Sequence, residues 1–183
     1  MEPEQGITTL QRFVDRYVED LAVAEAALAD PNTPETGKRA LAGALNYVLD
    51  LLDIFPDQYP GLGIADDAIV LRLAARQAVA AGATHERLQP LAAESVEVDA
   101  LFGDLSAPLA RYVERLAGRS VRGRTVDQIL SEKDVRVLFL ADLQRHVAAH
   151  RPQRIEPGAA GAEWSMAELR RMVRHALKKE GIV

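Results

Sequence analysis

The chain has 183 residues, of which 48% are hydrophobic, 27% charged and 5% aromatic, with a formal net charge of −5. That apolar content suffices for one globular core and excludes a wholly disordered chain. The complete lack of cysteine excludes a disulfide scaffold, thiolate-bound zinc, an iron–sulfur cluster and a thiol nucleophile.

Apolar residues recur at helical spacing almost throughout, which predicts an all-α protein. The expectation is a compact bundle of about six helices plus a C-terminal helix on a linker. Leu10, Val14, Tyr17, Leu21, Ala24 and Leu28 predict one long first helix. Thr8 or Thr9 caps it, and Asp30-Pro31-Asn32-Thr33-Pro34 stops it. The second helix opens at Pro34, turns Leu41, Leu45, Val48, Leu49 and Leu52 inward and ends near Ile54. A third starts at Asp66 or Asp67 and reaches about Ala81, with Gly82 as a left-handed stop. Leu91, Val98, Leu101 and Phe102 predict a helix up to Gly103, and the stretch from Ser106 to Gly118 predicts another. After a basic loop over 118–124, Ser131 with Asp134 introduces a helix carrying Val135, Leu138, Phe139, Leu143 and Val147. Residues 151–162 combine prolines, glycines and alanines without periodicity and read as a linker. Ser165 and Glu168 then form a capping box that opens a terminal amphipathic helix over 163–183. The expected organisation is a helical domain at 1–150, containing a hairpin at 35–82, followed by the linker and the terminal helix.

No window reaches the ~18 consecutive uncharged apolar residues of a membrane span. The opening Met-Glu-Pro-Glu-Gln-Gly is acidic where a secretory leader is basic, so a cytoplasmic protein is expected. Charge is unevenly spread: residues up to 110 sum to −11 and those from Arg111 onward to +6. Such a split reads as two faces that attract each other, or as a basic part that meets an anionic partner.

The segment from Leu45 to Leu71 has a signature. An apolar helix runs into Asp53, Pro56 and Asp57, then a loop with Pro60 and Gly63, then Asp66-Asp67 opening a second apolar helix. In this order and spacing it resembles the YkvA-like family of bacterial domains of unknown function. It departs from that family's pattern at Asp50 and Leu51, where a small residue and a proline are usual. The resemblance implies a helical hairpin, sometimes found near membranes, with no agreed activity. Independently of it, Asp66 and Asp67 read as an N-cap and a dipole partner of the helix they open. Asp53 falls in the last turn of its helix, where a carboxylate opposes the dipole and needs compensation. Turn N–H groups supply it, or else a hard divalent cation (Mg²⁺, Mn²⁺ or Ca²⁺) held by Asp53, Asp57, Asp66 and Asp67.

Asp142, His146 and His150 share one helical face with a metal-ligand spacing, but the metalloprotease glutamate is missing and the face reads as solvated surface. Arg111, Arg115, Arg119, Arg122 and Arg124 are placed to touch phosphates, yet Tyr112 is the lone aromatic beside them. Glycine-rich phosphate loops and nucleophile elbows are absent from the sequence. The expected function is a non-enzymatic interaction or structural module, binding a protein partner or a second copy, with no cofactor beyond that cation. One alternative is a metal-dependent enzyme or metal-binding protein using the Asp cluster at 53–67. The other is binding of nucleic acid or an anionic membrane surface through the basic C-terminal part.

Overall fold

The computed structural model describes residues 3–50, 54–55, 61–155 and 164–183. The described residues form an all-α bundle of α1 (Pro3–Asp15), α2 (Tyr17–Ala29), α3 (Glu35–Tyr47), α4 (Leu62–Ala80), α5 (Leu88–Ala93) and α6 (Ser95–Phe102). A 3-10 turn (Gly103–Leu105) leads to α7 (Ser106–Leu116), α8 (Val126–Ser131), α9 (Lys133–Ala149) and α10 (Met166–Lys179). None of these helices is long and apolar enough to cross a membrane.

At the centre lies α4, packed against α1, α2, α3, α5, α6 and α7. Its sequence dictates that place. Leu62, Ile69, Val70, Leu71, Leu73 and a series of alanines cover the whole circumference, so no face suits water. Thirteen of its 19 residues are buried, Asp66, Asp67 and Arg72 among them. Helix α10 closes the other side against α1, α7 and the 3-10 turn, burying Met166, Leu169, Val173 and Leu177.

Several boundaries differ from the sequence reading. Helix α1 already includes Pro3, so Thr8 and Thr9 lie within it and neither caps it, and α3 ends at Tyr47 rather than near Ile54. The long first helix bends at Arg16 (φ −100°, ψ 0°), dividing α1 from α2, where the Arg16 guanidinium turns to Glu94 and Asp20. A second division, at Glu94, separates α5 from α6 where its carboxylate meets Arg72. Another difference concerns α4, which begins at Leu62 rather than at Asp66, because Gly61 in the left-handed region (φ +79°) starts the helix one turn earlier. Finally, α8 is an additional helix opened by a capping box of Thr125 and Gln128; Ser131, expected to introduce the next helix, is its last residue and donates to the Asp127 carbonyl, and extended Glu132 separates α8 from α9.

The capping box of α10 is present as expected. The Glu168 N–H donates to Ser165 Oγ (3.2 Å), and the Ser165 N–H donates to Glu168 Oε2 (3.0 Å). Ahead of it, the first residues of the expected linker are tied to the body. The Gly61 N–H donates to Gln153 Oε1 (2.7 Å), and the Ile155 N–H donates to Gln11 Oε1 (2.8 Å). The rest of that stretch, 156–163, lies outside the described residues.

Candidate functional site

Two consecutive carboxylates of α4, one turn inside the helix, organise the surroundings of the hairpin. As Asp66 and Asp67 are not at the helix start, neither is its N-cap, and the cap expected from sequence falls to Gly61. Asp66 is completely buried. Its Oδ2 accepts from the Tyr47 hydroxyl (2.7 Å), the Ile54 N–H (2.7 Å) and the Phe55 N–H (3.3 Å). The side chain therefore fastens the chain beyond α3 to the flank of α4. Burial pushes its carboxyl up to about 7, against the opposing pull of those three donors. Its other oxygen, Oδ1, is buried without a hydrogen-bond partner.

Asp67 points to a different neighbour. The Tyr17 hydroxyl, on a fully buried ring, donates to Asp67 Oδ2 at 2.9 Å. The same hydroxyl oxygen lies 2.9 Å from His146 Nε2. With the Tyr17 proton committed to Asp67, His146 donates from Nε2, which fixes its tautomer. His150 stacks obliquely on Tyr17, with ring centroids 5.5 Å apart. Burial, then neighbouring His150 and Arg122, hold the His146 imidazole below its ordinary value. This histidine face is thus half-buried and engaged, correcting the expectation of solvated surface. Asp142, the third member of the face, does not join the histidines. It pairs with Arg124 (2.5 Å) and with Arg145.

The basic run also closes on the hairpin. Residues 121–124 make a two-residue turn in which Arg122 (φ +50°) and Gly123 (φ +77°) are left-handed and Val121 and Arg124 exchange backbone hydrogen bonds. The turn presents the Arg122 Nε–H to the Leu49 carbonyl at 2.8 Å. Nearby, the Tyr47 ring meets Tyr112 edge-on, and the Arg119 guanidinium donates to the Tyr112 hydroxyl at 2.8 Å. Arg115 and Arg111 turn towards the carbonyls of Glu180 and Ile182 just past α10.

Three features that are separate in sequence, the Asp pair, the histidine face and the basic loop, therefore meet around one hairpin. Of the four candidate metal ligands, Asp66 and Asp67 diverge, one to Tyr47 and the backbone, the other to Tyr17. Asp53 and Asp57 lie outside the described residues, as do Pro56 and Pro60. Among the described residues, no group of three or more His, Asp or Glu is placed to hold a metal ion. Sequence reasoning missed Tyr17 and Tyr47, which it placed in an apolar stripe or left unremarked. The available signal was chemical: a buried tyrosine hydroxyl requires a polar partner, and carboxylates without local cations require donors.

Residues 38–73 match the model of a family described as a protein of unknown function (DUF1232). The YkvA-like resemblance is consistent with this family. The DUF1232 segment runs from the first turn of α3 into α4 and includes Tyr47, Asp66, Asp67 and Arg72. Tyr17, Arg122 and His146, which complete the polar centre, fall outside it. Neither the curated proteins nor the solved structures yield a match.

Proposed function

We propose that the chain is a non-enzymatic interaction module whose DUF1232 hairpin is held rigid by an internal polar centre and whose outer helices bind a protein. The observation that carries this reading is the convergence of three donors on Asp66 Oδ2. An acid, base or metal ligand at work needs a lone pair directed at its substrate or ion, whereas this oxygen is spent on holding the hairpin. The basic run supports a protein partner over a phosphate surface, since Arg119, Arg122 and Arg124 are engaged within the chain.

One observation favours a second reading: Asp66 Oδ1, buried and unpartnered, suits a divalent cation shared with Asp53 and Asp57. The two are separated by affinity capture in a chelating buffer together with thermal melts in Mg²⁺, Mn²⁺ and Ca²⁺. The interaction reading expects a protein captured at fixed stoichiometry without divalent ions, and no ion-specific rise in melting temperature. It is overturned if capture fails with and without added ions while one ion raises the melting temperature of the wild type and not of Asp66→Asn.

A further inference from the structure

Helix α9 is the least embedded of the long helices: of its 17 residues only Phe139 and Leu143 are buried. Val137 and Leu138 are 56% and 62% exposed, and they are two of the four large apolar side chains left in solvent among the described residues. Helical spacing places Val137, Ala141 and Ala148 on the outward line of α9, with Asp134, Leu138 and Arg145 on the adjoining line. The outward surface therefore offers a bulky apolar residue, small residues that permit close approach, one exposed acid towards the N-terminal end and one exposed base towards the C-terminal end.

We infer that this surface pairs with itself, joining two copies of the chain through antiparallel α9 helices related by a two-fold axis. Two independent complementarities select one register. When Leu138 lies over the partner's Ala141, a large side chain fills the space above a small one. In that same register Asp134 faces the partner's Arg145. The two-fold axis repeats both contacts, giving two Leu–Ala and two Asp–Arg pairs. Ala141, opposite Leu138 in both copies, allows the axes to approach to the ~8 Å of closely packed helices. Arg145, whose side chain is 75% exposed, pairs with Asp142 and donates to the Ala141 carbonyl within its own helix; in the dimer it exchanges that exposed pair for the partner's acid, while Asp142 keeps Arg124. A parallel pair would set Asp134 against the partner's Asp134 and Arg145 against the partner's Arg145, like charges at both places.

The inference goes beyond the interaction module proposed above, since a monomeric chain would refute it and leave capture of another protein untouched. Sedimentation of the full chain is expected to show a species of twice 20.0 kDa that dissociates on dilution. Leu138→Glu, at an exposed position, is expected to give a monomer with an unchanged circular dichroism spectrum. Asp134→Arg and Arg145→Asp are each expected to weaken the dimer about fivefold or more, and the double reversal to restore it. The native chain has no cysteine, so Leu138→Cys/Ala141→Cys introduces its only thiols. Mild oxidation is expected to give a covalent dimer from this pair and none from Val96→Cys on α6. A chain that stays monomeric up to about 100 μM, or a dimer indifferent to Leu138→Glu, overturns the proposal. Charge reversals that the double variant fails to rescue overturn the register and with it the assignment.

Discussion

The hydroxyl of Tyr17 reaches Asp67 across 50 residues of sequence and meets its Oδ2 at 2.9 Å inside the bundle. This bond stitches α2 to α4 at the position where α2 also meets α9 through His146. Tyr17→Phe keeps the ring and removes the donor, leaving a buried carboxylate oxygen one partner short. The expected loss is about 1–3 kcal/mol in urea unfolding, with little change in the slope that reports surface exposed. An unchanged midpoint would show that the bond carries no weight.

Asp66 makes stability depend on pH in an unusual direction. Its folded carboxyl titrates at about 7 against an ordinary 3.8, so between those values the folded chain retains a proton that the unfolded chain has lost. The contribution is favourable in acid and declines as pH rises through this window, by on the order of 4 kcal/mol, levelling above pH 7. Asp66→Asn removes the titration. Subtracting its unfolding free energy from that of the wild type at each pH from 4 to 8 is expected to isolate this decline; parallel curves would contradict it.

Arg72 heads the fully buried side chains among the described residues, and its charge is met on several sides. Its Nη2 lies 2.8 Å from Asp20 Oδ2 and 2.8 Å from Glu94 Oε2, while its guanidinium stacks 3.7 Å from the centroid of Phe13. Arg72→Met leaves Asp20 and Glu94 with only the partly exposed Arg16 as counter-ion, and a loss of about 3–5 kcal/mol is expected. Arg72→Lys is expected to recover only part, because a single ammonium cannot serve both carboxylates and the ring. Adding Asp20→Leu to Arg72→Met should return some of the lost stability, a coupling that thermal melts of the three variants will measure.

Gly61 and Gly123 provide a matched pair. Both have positive φ, +79° and +77°, so alanine is strained at each. Around Gly123 a Cβ meets nothing within 4 Å, whereas at Gly61 it would lie 2.5 Å from the Arg154 carbonyl oxygen. Gly123→Ala is expected to cost about 1 kcal/mol, the conformational part alone. Gly61→Ala should cost clearly more and, by displacing residues 153–155, accelerate tryptic cleavage after Arg154.

Legibility in the sequence followed the range of the interaction, with one exception: the Thr125–Gln128 box is a local signal that the reading missed. The Ser165–Glu168 box and the left-handed stop at Gly82 were readable because each involves neighbours in the chain. The apolar character of α4 was readable too, since it is written in consecutive residues. The divisions at Arg16 and Glu94 were not, because both follow from an ion network whose members stand up to 78 residues apart. The candidate site behaved likewise: the Asp pair stood out locally, but the tyrosines and His146 that determine what each carboxylate does come from α2, α3 and α9. Helix periodicity distinguishes inside from outside; it does not specify which buried hydroxyl meets which acid.

Gly6 of α1 lies so near α10 that a Cβ there would sit 2.5 Å from Met166 Cγ. Near the middle of α1, Gln11 holds residues 153–155 through side-chain hydrogen bonds that span 142 and 144 residues of sequence. Helix α1 finds α4 much sooner along the chain, but its seam with α10 and with residues 153–155 closes only when partners more than 140 positions later have been made. Until then the side of α1 around Gly6 stays uncovered.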